Sequence, residues 1–155
     1  MTKAQLSFVF FLSLLVACSS AKEGNSSQQS PLPGDFFIEV GEGGGFTGLW
    51  QGYSVDSTGA VQKLSGRTLG ASRAPVGTLS ADSLRSLWRH ITESGILSES
   101  PSLAAGNMTR TLTITAHGAT TRYSWPKSLS PERSTARLDD LYTYIVAMIT
   151  RTVHK

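Results

Sequence analysis

The sequence predicts an α+β fold: an antiparallel sheet in β-β-β-α-β-β-α order with two helices packed on one face. Three observations carry that expectation. Threonine stands at every second position from Thr109 to Thr115, and a second alternating run, Ala119 to Trp125, follows His117-Gly118; this is hairpin patterning. Leu84, Leu87, Trp88 and Ile91 fall at the i, i+3, i+4, i+7 spacing of a helix with one buried stripe. Leu138, Leu141, Tyr142, Ile145 and Ile149 supply a second such stripe near the C-terminus.

In order along the chain, Phe36, Ile38 and Val40 alternate and give a first strand. Gly41 to Gly45 interrupts it. Phe46 to Val55 reads as the second strand, with Leu49, Tyr53 and Val55 on one face and Phe46, Gly48 and Trp50 on the other. Asp56-Ser57-Thr58-Gly59 is turn chemistry, and a third strand runs through Val61 and Leu64. Ser65 to Gly77 reads as an irregular connection. Ser80 is placed to cap the first helix, Leu79 to staple onto Leu84, and Gly95 to end the helix in a left-handed conformation beside Ile96. After the hairpin, Ser130-Pro131 is placed to open the last helix as N-cap and first helical residue.

A chain of 155 residues has room for one domain rather than two. Its apolar fraction of 39% supports a modest core, and its sparse charge, 16%, beside abundant Gly, Ser and Thr favours strands and turns over a helical bundle. The arginines are scattered and never form a run, so no nucleic-acid footprint is expected. The formal charge of +3 includes Lys3, without which it is +2.

The amino terminus is more specific. Lys3 precedes an almost unbroken apolar run from Leu6 to Val16, which as a helix spans roughly 16 Å against roughly 30 Å of hydrocarbon. That length fits a secretion signal rather than a permanent span. Directly after it, Leu15-Val16-Ala17-Cys18 resembles the bacterial lipobox, an aliphatic residue three before the cysteine and a small residue next to it. The resemblance implies that diacylglycerol is thioether-linked to Cys18, that cleavage precedes it, and that the new amine is acylated as well. The alternative is an ordinary signal peptide with an incidental cysteine. With Cys18 the only cysteine, an exported domain has no internal disulfide and must be held by packing. Ser19, not an acidic residue, follows it; in enterobacteria-like systems this implies an outer-membrane destination rather than an inner one.

Ser19 to Pro33 is rich in Ser, Gln, Gly and Pro and lacks apolar periodicity, so it reads as a tether with a reach of about 20 Å. The expected organisation is a signal peptide over 1–17, a lipidated N-terminus and tether over 18–34, and one α+β domain over 35–155.

The residues offer little catalytic chemistry. Gly43-Gly44-Gly45-Phe46-Thr47-Gly48 formally satisfies G-x-G-x-x-G, but strand-like sequence follows where a dinucleotide site needs a helix. The glycines are better read as permitting a bulge or tight hairpin. His90, His117 and His154 lack metal-ligand spacing. Asp139 and Asp140 are adjacent on a helix and point apart, with Asp139 read as solvated. No G-x-S-x-G or Ser-x-x-Lys element occurs. No cofactor, no metal and no enzymatic activity are therefore expected. Phe46 and Trp50 are either exposed, as binding surfaces are, or covered by the core or the last helix.

Phe37-Ile38-Glu39-Val40 followed by Gly44-Gly45-Phe46-Thr47-Gly48 resembles the opening of emfourin-like proteins, small inhibitors of thermolysin-type metalloproteases. The order of helix, Thr-rich hairpin and terminal helix is similar too. Ala60 to Gly77 is an addition to that pattern, and export departs from it. The resemblance implies a related fold and nominates Gly44, Gly45, Phe46 and Gly48, with Trp50 added as an aromatic on the same strand face, for contact with a protein partner such as a protease. The expected function is thus a lipid-anchored envelope protein that binds another protein. Its rivals are an envelope enzyme or small-ligand carrier, and a passive structural lipoprotein.

Overall fold

A computed structural model describes residues 31–99, 106–127 and 133–153. Cys18 and its leader, and the Ser130-Pro131 helix start, lie outside these residues. The elements are β1 (Phe37–Gly44), β2 (Leu49–Asp56), β3 (Ala60–Gly66), β4 (Ser72–Thr78), α1 (Ala81–Glu93), a single 3-10 turn (Ile96–Ser98), β5 (Met108–Ala116), β6 (Ala119–Pro126) and α2 (Arg133–Val153). The strands form one antiparallel sheet in the order β4-β3-β2-β1-β5-β6. The class is α+β, as the periodicities predict.

Residue parity decides which face each strand buries. Ile38 and Val40 of β1 register with Val55 and Tyr53 of β2 and with Ile114 and Leu112 of β5. These residues join Leu84, Leu87, Trp88 and Ile91 of α1 and Leu138, Leu141, Ile145 and Ile149 of α2 in one core cluster. Both helices therefore cover the same face, and the other face stays open. Leu32 packs against this core, and buried Pro33 accepts from the Phe36 N–H, tying the residues ahead of β1 to the sheet.

The segment expected to be irregular contains β4. Its sequence, SRAPVGT, is exposed along nearly its whole length and so shows no alternation. It lies at the sheet edge, where Pro75 is tolerated because an edge strand has a row of backbone groups that need no ladder partner. The β3–β4 hairpin curls back over the open face: Arg73 reaches Glu39 of β1 at 2.9 Å. Leu69 fills the space where a β-carbon at Gly41 would stand.

Local chemistry sets the boundaries. Ser80 Oγ accepts the Ser83 N–H at 3.2 Å and caps α1, and Gly95 closes it at φ 71. The hydroxyl of Ser94 donates to the Ile91 carbonyl and accepts the Ile96 N–H, bridging where a direct backbone bond would otherwise end the helix. His117 and Gly118, at φ 54 and 76, make the β5–β6 turn. The Asp35 carboxylate accepts both of their N–H groups, at 2.9 and 2.6 Å, which holds its pKa below the ordinary aspartate value.

Candidate functional site

The β1–β2 connection is a four-residue turn, Gly45 to Gly48. Gly44, Gly45 and Gly48 all have positive φ, at 93, 64 and 62, so this corner suits residues without a β-carbon. The Gly45 N–H donates to the Asn107 carbonyl at 2.6 Å, and the Gly48 N–H donates back to Gly45 at 3.3 Å. The turn is thereby fixed to the neighbouring strand, and its side chains project from a set backbone.

Phe46 is wholly exposed at the tip of this turn and Leu49 is more than half exposed beside it, at 56%. The second strand was expected to start at Phe46; it starts at Leu49, because the glycine turn occupies the preceding residues. Phe46 thus lies on neither sheet face. Trp50 does lie on the open face, but it is half-buried, its indole seated flat where a β-carbon of Gly43 would be. All five nominated residues fall in one hairpin, with Gly44, Gly45, Phe46 and Gly48 at its end and Trp50 just below.

A second feature went unread in the sequence. An open cleft of about 470 Å³ lies between the strand ends and the C-terminal half of α2. Glu42 on β1 and Arg110 on β5 register with each other and continue the inward parity of Val40 and Leu112 past the edge of the helices. Arg110 Nη1 donates to Asp139 Oδ1 at 2.6 Å, its Nε stands 3.5 Å from Glu42, and its guanidinium lies 4.7 Å from the Tyr142 ring centre. Trp125, fully buried, donates its indole N–H to the same Asp139 oxygen at 2.9 Å. Asp139 is therefore buried, not solvated as expected; its neighbour Asp140 is exposed.

Glu42 is the second carboxylate of this cluster, taking hydrogen bonds from Lys127 at 3.0 Å and Gln51 at 3.5 Å. Burial acts to raise its pKa, but Lys127, Arg110 and Gln51 together outweigh burial and hold it below the ordinary glutamate value. Burial, with the Glu42 charge behind it, pushes the pKa of the Tyr142 phenol far up.

His90 and His117 are packed apart, and His154 lies outside the described residues. His90 stacks on Tyr144 at 3.9 Å, and His117 meets the Trp88 ring edge-on at 5.9 Å. Among the described residues no three metal-ligating side chains come together.

The fold and these features define a class: an open-faced α+β module with a rigid apolar hairpin tip at one end and a charged cleft beside it. The chain matches no protein-family model, and no curated protein is significantly similar to it.

Proposed function

We propose that this is a lipid-anchored protein of the bacterial cell envelope, attached through acylated Cys18, whose domain acts without catalysis by binding another protein through the Gly44–Leu49 hairpin. One observation carries the binding reading: Phe46 is fully exposed on a turn whose backbone is fixed. Leaving a phenylalanine in water forgoes about 1.5–3 kcal/mol that burial would return, and a preformed turn loses little entropy on docking.

Placement supports the reading. The chain enters the domain at Leu32 to Phe36, while the hairpin lies at the opposite end of the eight-residue strand β1, about 26 Å away. A tether at one end and an apolar tip at the other present the tip away from the attachment point. The resemblance to emfourin-like proteins at Gly44, Gly45, Phe46 and Gly48 makes a thermolysin-type metalloprotease the partner of choice.

Two expected outcomes test this. Cys18→Ser should abolish acylation, leaving a mass without acyl chains and moving the protein from the membrane fraction to the soluble one. A Cys18 thiol found bare in the native protein refutes the anchor. Phe46→Ala in the full-length protein should weaken inhibition of, or binding to, the protease by about 30-fold or more, as loss of a central aromatic anchor does. It should leave unfolding stability within about 0.5 kcal/mol, because exposed Phe46 contributes nothing to the core. Equal potency of wild type and variant would remove the hairpin from the interface.

A further inference from the structure

The cleft beside the hairpin carries one cation more than the neighbouring carboxylates offset. Glu42 is already committed to Lys127, Gln51 and Arg110. Lys63, exposed on β3 and lining the same cleft, has no ion-pair partner among the described residues. The Nε of Arg110 is shielded from solvent and makes only a 3.5 Å ion-pair contact with Glu42, not a hydrogen bond. The phenols of Tyr53 and Tyr142 line the cleft too and add donors. Asp139 offsets Arg110 and Glu42 offsets Lys127, so Lys63 is the cation left over, and the chemistry its end of the cleft lacks is an acceptor with negative charge.

The opposite wall is of another kind. Val146 and Ala147 of α2 and the tyrosine rings give an apolar surface beside the charged end. A bare inorganic ion would leave that surface wet.

We propose that this cleft is a binding site for a small organic carboxylate, its negative end held by Lys63 and Lys127 and its apolar body laid against Val146, Ala147 and the tyrosine rings. A volume of about 470 Å³ is in the range of small-molecule sites, and the mixture of an apolar wall with a few convergent polar groups is their usual composition. The inference stands on different residues from the Phe46 tip and does not depend on a protein partner.

Benzoate is a suitable probe, since it pairs one carboxylate with a flat apolar body. Equilibrium dialysis of labelled benzoate against the full-length protein in lipid nanodiscs, with empty nanodiscs subtracted, should show saturable binding at one site. Benzyl alcohol, of similar shape without the charge, should bind at least about tenfold more weakly. Lys63→Gln combined with Lys127→Gln should lower benzoate affinity by about tenfold or more. Lys63→Glu alone, on an exposed strand position that leaves the Glu42–Lys127 pair untouched, should do the same. Absence of saturable benzoate binding overturns the proposal. So do equal affinity for benzyl alcohol, tighter binding of inorganic phosphate than of benzoate, or unchanged affinity in the lysine variants whose near-ultraviolet circular dichroism shows native packing.

Discussion

Replacing Asp139 with alanine should lower the free energy of unfolding by about 3–5 kcal/mol, the usual cost of removing one member of a buried ion pair. Asp139 Oδ1 serves two donors at once, Arg110 Nη1 and the indole N–H of Trp125. The side chains of Arg110 and Asp139 retain only 18% and 9% of their exposure, so water cannot readily replace the lost acceptor. After substitution the one carboxylate left to Arg110 among the described residues is Glu42, at 3.5 Å and shared with Lys127, beside the Tyr142 ring, and Trp125 has a buried N–H with no partner. Urea unfolding of the full-length protein checks this: the midpoint should fall with the slope unchanged. Asp140→Ala, one residue on and exposed, should change stability by less than about 0.5 kcal/mol. Arg110→Met together with Asp139→Leu should recover most of the loss, because an apolar pair leaves no charge stranded. A loss below about 1 kcal/mol for Asp139→Ala would mean that solvent reaches the pair and that it does not organise the cleft.

The contrast between what the sequence revealed and what it hid follows from whether a feature is local. The caps at Ser80 and Gly95 and the His117-Gly118 turn were legible because each depends on neighbours within a few residues. The core stripes were legible because periodicity reports burial directly. Strand β4 was hidden because an edge strand exposed on both sides has no alternation, and Pro75 and Gly77 mimic a loop. Phe46 to Gly48 read as strand because the aromatic residue resembles strand composition, and Gly41 to Gly44 read as an interruption although they belong to β1; only Gly45 of that expected break lies in the turn.

The ionic cluster was hidden for a different reason. Glu42 and Asp139 are 97 positions apart, and nothing short of the folded sheet places both beside Arg110. A trace of it was nevertheless present. Arg110 shares parity with Leu112 and Ile114, and Glu42 with Ile38 and Val40, so both charges extend inward-facing runs. A charge at an inward position calls for a partner, and Asp139 lies one residue from Leu138 on the helix stripe.

Gly52→Ala is expected to be the most damaging of the glycine substitutions in the β1–β2 hairpin, at about 3 kcal/mol, the upper end of what one added methyl costs in a packed site. Gly52 stands opposite Gly41 in β1 and Leu64 in β3. A β-carbon there would press into the Val40 carbonyl oxygen and come within 2.8 Å of the Gly41 α-carbon. Both obstacles are backbone, so no side-chain rotation relieves them and the strands must separate. Gly48→Ala is the informative comparison: a β-carbon there meets nothing within 4 Å, and only the positive φ of 62 opposes it, costing about 1 kcal/mol. The two changes should also separate in function. Displacing β1 from β2 at Gly52 tilts the turn carrying Phe46, so partner binding should weaken together with amide protection along both strands. Gly48→Ala should leave strand protection intact. If Gly52→Ala proves no more destabilising than Gly48→Ala, the strands tolerate a wider spacing than their register implies, and the hairpin is not the rigid mount on which the binding reading relies.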